Sequence, residues 1–200
     1  MRQIHPLLAV RWLMTDARND TALEDAIARL PRGSGLIYRH YHLPPGERRA
    51  RFAVLARLMR ARGGQVVLAG TMAQARRWGA DGAYGVPGQV GPGARGLRLV
   101  TVHSLREIAR ARRLRTAALV LSPAFATRSH PGVPGLGAIG WRVLVRHAGA
   151  SAVALGGMNA ARARRLGAVP WAAIDGLSTG SRRGRKNLAA AGTETPPAGP

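Results

Sequence analysis

The stretch Ala152 to Asn159, AVALGGMN, decides how the rest of the chain reads. A short apolar run ends in Gly156 and Gly157 and gives way to an Ala/Arg-rich helical segment. Two glycines at the carboxyl end of a strand let backbone N–H groups crowd together at the start of the next helix, where the dipole also favours an anion. This pattern fits a phosphate seat; the alternative is a tight strand-to-helix turn without a ligand. It stands late in a chain of repeating strand and helix signals. An eight-stranded β/α barrel places its phosphate seat there, in the loops after strands seven and eight.

Working outward, eight strand signals recur: Val10 to Met14, Leu36 to Tyr41, Gln65 to Ala69, Gly82 to Gly85, Leu97 to Val102, Ala117 to Leu121, Ala152 to Leu155 and Trp171 to Ile174. Helical patterns separate them, which argues for parallel β/α units and against a sandwich. Thr21 to Leu30 and Thr71 to Trp78 read as helices, and Glu47 to Arg62 as a long one with Phe52, Leu55, Ala56 and Met59 on a single face. Ser104 and Glu107 have the spacing of a capping box. Pro87 to Gly96, PGQVGPGARG, holds too much glycine and proline for a full helix, so helix four is expected to be shortened or replaced by a loop. Ser122 to Gly137 reads as a substrate loop or lid after strand six. The expectation is an α/β protein: a compact TIM-type barrel over residues 1–178 and a basic, Pro/Gly-rich, disordered tail over 179–200.

Composition narrows the function classes. The chain has 200 residues, of which 46% are hydrophobic, enough for a core within one domain. It has no cysteine, so disulfides, zinc thiolates and a thiol nucleophile are excluded. The segment Met1 to Trp12 is broken by His5, Pro6 and Arg11 and lacks a signal-peptide core; with no apolar run of spanning length, a soluble cytoplasmic protein without membrane association is expected. The net charge of +22 is almost wholly arginine, Lys186 being the only lysine. Most arginines fall on solvated helix faces, aromatic interleaving is sparse, and no nucleic-acid motif is present. A basic surface is therefore favoured over a nucleic-acid groove.

In order along the chain come Thr15-Asp16, Arg39, Ala80-Asp81-Gly82, Val102-His103-Ser104, Ser122 to His130 (SPAFATRSH), Pro134 to Gly137 (PGLG) and Leu155 to Asn159 (LGGMN). In that order they resemble the thiamine-phosphate synthases and their thiazole tautomerase relatives, over roughly residues 10–177. The resemblance implies a β/α barrel and a transferase of thiamine biosynthesis. Such an enzyme joins a pyrimidine methyl pyrophosphate to a thiazole phosphate and releases pyrophosphate, with Mg2+ holding the leaving group. It also implies site residues. Arg39 stands at the pyrophosphate-binding arginine, Thr127 and Ser129 at the hydroxyls of the strand-six loop, and His130 at its lysine. Gly156 and Gly157 retain the thiazole-phosphate seat, completed by Ile174 and Gly176; Thr101 and Pro123 fall at substrate-binding positions. The ligand implied is a phosphorylated thiazole or thiamine phosphate, and a homodimer is carried as a candidate assembly.

The departures from that pattern are substantial. Ile37 and Tyr41 replace the glutamine and lysine that flank the arginine, and Asp175 stands in place of a serine at strand eight. The metal-binding positions fall on Ala69, Gly70 and the Val86 to Gln89 loop, which hold no carboxylate, so no metal ligand is assigned. Two alternatives stay open: a metal-independent thiazole phosphate tautomerase, and a non-catalytic barrel that binds a phosphorylated ligand. The tautomerase relatives place a histidine near Pro123, which cannot act as a base. His103 and His130 are the substitutes, although His103 reads first as packing at a helix start and His130 as a solvated loop residue. Ser104 reads as a helix cap before a nucleophile. His40 and His42 invite a metal reading, but alternation puts both opposite Arg39, outside the mouth, and no carboxylate matches them in sequence.

Overall fold

The computed structural model describes residues 8–91, 96–114, 116–129, 131–148 and 151–178. Eight parallel strands close in sequence order into one barrel. They are β1 (Arg11–Met14), β2 (Gly35–Tyr38), β3 (Gln65–Ala69), β4 (Gly82–Gly85), β5 (Leu97–Val102), β6 (Ala118–Leu121), β7 (Ser151–Ala154) and β8 (Trp171–Ala173). The helices between them are α1 (Leu23–Arg29), α2 (Pro45–Ala61), α3 (Met72–Trp78), α4 (Pro87–Val90), α5 (Leu105–Ala111), α6 (Gly137–His147), α7 (Ala160–Arg165) and α8 (Asp175–Ser178). Helix four survives as one turn started by Pro87, whose fixed φ suits a first helical position, and ended by Gly91 at positive φ. The expected disordered tail lies outside the described residues, as does His130.

Strand alternation sorts the apolar side chains into two layers. Trp12, Met14, Ile37, Val67, Leu99, Val120, Val153 and Ala172 fill the barrel. Leu13, Leu36, Leu68, Val100, Leu119 and Ala154 face outward and pack under the helices. The inner filling depends on Trp12, which is fully buried and donates its indole N–H to the Ala9 carbonyl at 2.8 Å. Gly35 makes room for it: a Cβ there would lie 2.2 Å from the indole ring. On α2 the expected face of Phe52, Leu55, Ala56 and Met59 is the buried one.

The second strand stops earlier than its sequence pattern suggests. β2 ends at Tyr38, and His40 takes a φ of 42°, turning the chain away from the sheet. Thr15, at the carboxyl end of β1, directs the turn: its hydroxyl accepts the Arg39 N–H at 2.9 Å and lies 2.7 Å from His40 Nδ1. His40 and His42 therefore sit on a loop beyond the strand, outside the mouth. The expectation that no carboxylate meets them is corrected, because Asp20, from the 3₁₀ turn Ala17–Ala22, lies 2.9 Å from His40 Nε2. Arg48, in the first turns of α2, ties down the same region by donating to the carbonyls of Arg39 (2.8 Å) and Ala69 (2.9 Å).

Candidate functional site

Short strands leave their carboxyl ends close to one opening, where the following loops line a cleft of about 620 Å³. Most sequence-predicted residues meet there. Arg39, Thr101, Thr127, Ser129, Gly156, Gly157, Ile174 and Gly176 all line it. Pro123 lies just behind the lining, within 3 Å of where a Cβ on Gly156 would sit, and is joined to Ser122 by a cis peptide bond.

The β7 loop is shaped by close approach. Gly156 and Gly157 have φ of 94° and 59°, which only glycine adopts without strain. A Cβ on Gly157 would stand 2.3 Å from the Ala126 carbonyl oxygen, and one on Gly176 would stand 2.1 Å from that of Met158. The corner is thus enclosed by the β6 loop on one side and α8 on the other. Asn159 caps α7 by accepting the Arg162 N–H at 2.9 Å. The Arg162 guanidinium turns back to the Gly157 carbonyl and lies 5.1 Å from the centre of the Phe125 ring.

Four arginines line this mouth, namely Arg18, Arg39, Arg128 and Arg162. Two carboxylates answer them among the described residues: Asp16 lies 3.0 Å from Arg18 and 3.8 Å from Arg39, and Asp175 lies 3.0 Å from Arg128. Asp175 is therefore paired with a guanidinium at the rim of the same cleft as the glycine corner. The excess of positive charge suits an anionic ligand. Arg18 also donates to Ser129 Oγ at 3.0 Å, and the Thr127 hydroxyl accepts the Ser129 N–H at 3.3 Å. The loop after β6 is thereby latched across the mouth to the loops after β1 and β8.

His103 is placed differently from the sequence expectation. Its backbone N–H does stand at a helix start, bonded to Glu107 at 2.7 Å, and Ser104 caps α5. The side chain, however, is exposed, lines the mouth and puts Nδ1 2.7 Å from the Ser122 carbonyl oxygen. A carbonyl only accepts, so Nδ1 carries a proton and Nε2 is the ring nitrogen left for a ligand. Nearby, Tyr84 is half-buried and in hydrogen-bond contact with Thr101; desolvation pushes its phenol up and keeps it protonated. Arg18, Arg128 and Arg162 lay outside the predicted site residues, whereas His103 was carried there as a substitute base. For Arg162, its place one turn after the diglycine was the available signal.

Magnesium does not fit the positions where the resemblance would put it. The Ala69 carbonyl is taken by the Arg48 guanidinium, Gly70 has no side chain, and the Val86 to Gln89 turn offers one amide and no carboxylate. A hard divalent cation needs charged oxygen ligands, and an arginine in its place repels it.

The molecule is thus a β/α barrel with a cationic, glycine-cornered mouth. It shares its fold with thiamine phosphate pyrophosphorylase from Pyrococcus furiosus, at a TM-score of 0.69 and 21% identity over 86% of this chain and 88% of that one. A thiamine phosphate pyrophosphorylase from Bacteroides thetaiotaomicron aligns at 0.56 and 13% identity, covering 84% and 83% of the two chains. An HpcH/HpaI aldolase/citrate lyase family protein from Burkholderia cenocepacia aligns at 0.54 and 15%, covering 84% and 88%. No family model matches the sequence, and no curated protein matches it. Among the described residues, no helix is long and apolar enough to cross a membrane.

Proposed function

We propose that the chain is a thiamine-phosphate synthase-like transferase that works without a bound divalent cation, its arginines taking over the leaving group. The observation that carries this reading is that the Gly156-Gly157 corner and four arginines line one cleft. A thiazole monophosphate would sit against the backbone of residues 156–157 and beside Arg162, with Ile174 and Gly176 behind it. Arg39 and Arg18, together with Thr127 and Ser129, would receive the pyrophosphate. In the reaction the methylene C–O bond of the pyrimidine substrate breaks, the electron pair leaves with pyrophosphate, and the thiazole nitrogen forms the new C–N bond. Preorganised donors around the departing oxygens stabilise that charge, and each is worth roughly a hundredfold or more in rate.

The test supplies both substrates with and without a chelator and follows pyrophosphate release and thiamine phosphate. Product that forms unchanged in chelator supports the proposal. No product above background in either condition removes it.

His103 favours a second reading. An imidazole held by Nδ1 on the Ser122 carbonyl, with Nε2 as its other ring nitrogen at the mouth, is a suitable base for moving a proton on thiazole phosphate. That reading predicts isomerisation without any pyrimidine substrate, followed by exchange of the mobile ring proton with deuterated solvent.

A further inference from the structure

A cluster of ligand-type side chains lies away from the mouth. Asp20, His40 and His42 bring one ligand atom each to within 4.8 Å of one another. They come from two loops, the 3₁₀ turn after β1 and the turn between β2 and α2. His40 is 1% exposed, yet its Nε2 has no hydrogen-bond partner: Asp20 Oδ1 stands 2.9 Å away but off the line of a hydrogen bond. The other ring nitrogen is held 2.7 Å from Thr15 Oγ1, which also accepts the Arg39 N–H. The Thr15 hydroxyl can accept from Nδ1–H or donate to Nδ1; in the first tautomer, the one a metal at Nε2 selects, Nε2 turns its lone pair toward the carboxylate. Two electron-rich atoms at that distance repel unless a proton or a cation lies between them.

We propose that Asp20, His40 and His42 bind a zinc-class divalent cation, with Thr15 as the positioning residue that fixes the His40 ring. The donor set is two imidazoles and a carboxylate, which zinc accepts and magnesium and calcium do not prefer. Tetrahedral bonds of about 2.0–2.2 Å need ligand atoms roughly 3.3–3.5 Å apart, so a bound ion would part the Asp20–His40 pair slightly from 2.9 Å and draw in the exposed His42, whose ring already packs against that of His40. The exposure of His42 leaves the fourth position to water. The hydroxyl behind His40 matches the outer partner that metal-bound histidines use to set their tautomer. Arg51 donates its Nε–H to Asp20 Oδ1 at 2.8 Å and pairs through both terminal nitrogens with Glu24, so one guanidinium is shared between two carboxylates and the group as a whole keeps one net negative charge for a cation. A bound ion would clamp the loop that carries Arg39 to the turn after β1.

The experiment uses the full chain, stripped with chelator and dialysed, then titrated with Zn2+ against a chromophoric competitor and separately with Co2+. One ion per chain is expected, with visible Co2+ absorption of a four-coordinate site. His42→Ala, an exposed change that leaves the fold intact, should weaken binding at least about tenfold and remove the Co2+ band, and Thr15→Val should weaken it by about ten- to a hundredfold. His147→Ala should change nothing. The proposal is overturned if the full chain shows no saturable binding, or if His42→Ala and Asp20→Asn bind Zn2+ as tightly as the parent. The first result would mean a proton shared between His40 and Asp20, and the second a site on other histidines.

Discussion

Replacing Gly157 by alanine would put a Cβ 2.3 Å from the Ala126 carbonyl oxygen at a φ of 59°. Both the contact and the dihedral oppose the change, and a left-handed non-glycine residue alone costs about 1–3 kcal/mol. Gly157→Ala is expected to lower stability by at least that amount in denaturant unfolding and, if the proposed seat holds, to abolish any thermal protection by thiazole phosphate seen in the parent. Unchanged protection would take the ligand away from this corner. His103 allows a sharper separation between binding and chemistry. Its Nδ1–H is spent on the Ser122 carbonyl and its ring is exposed, so His103→Gln should leave stability and ligand protection as they were. If the base reading holds, the same variant loses solvent proton exchange by about 10²–10⁴-fold, the usual contribution of a positioned base.

At the scale of elements, the loop after β6 is tied down by two surface latches, Arg18 to Ser129 and Arg128 to Asp175. Exposed pairs of this kind each contribute at most about 1 kcal/mol, so losing one should not unfold the barrel. Asp175→Asn is expected to leave the melting temperature nearly unchanged while the β6 loop becomes more readily cut by trypsin at Arg128. Equal cleavage in parent and variant would show that the latch does not hold the loop. None of this was legible in the chain order, because Arg18 and Ser129 are 111 positions apart and no periodicity links them. The strands were legible, since apolar alternation bounded by glycine is written locally in Gln65–Ala69 and Leu97–Val102. Leu36 to Tyr41 overran for a related reason. Alternation continues through Arg39 and His40, whereas the stop is imposed by the Thr15 hydroxyl on another strand. The Asp20 contact to His40 escaped for the same reason: turns after β1 and β2 become neighbours only once those strands pair at Met14 and Ile37.

For the whole molecule, packing and charge act on different things. The barrel is closed around Trp12, and Trp12→Ala would empty its centre at a cost of about 3–5 kcal/mol, to be read from denaturant midpoints. The net charge of +22 has no such structural role. At physiological salt the screening length is about 8 Å, so a ligand in the mouth senses the four arginines and two carboxylates there far more than arginines on the outer helices. The outer arginines face any polyanion that meets the surface, and there the attraction is counterion release without shape. Contacts to 6–10 phosphates lose about 10³–10⁵ in affinity between 50 and 200 mM salt. A labelled single-stranded RNA should therefore bind at the lower salt and be released at the higher, whereas protection by thiazole phosphate should persist through the same range. The two are separable by measuring anisotropy and melting temperature on one salt series. RNA retained at the higher salt would mean that the basic surface holds a shaped groove, and that the mouth is not the only place where this chain selects an anion.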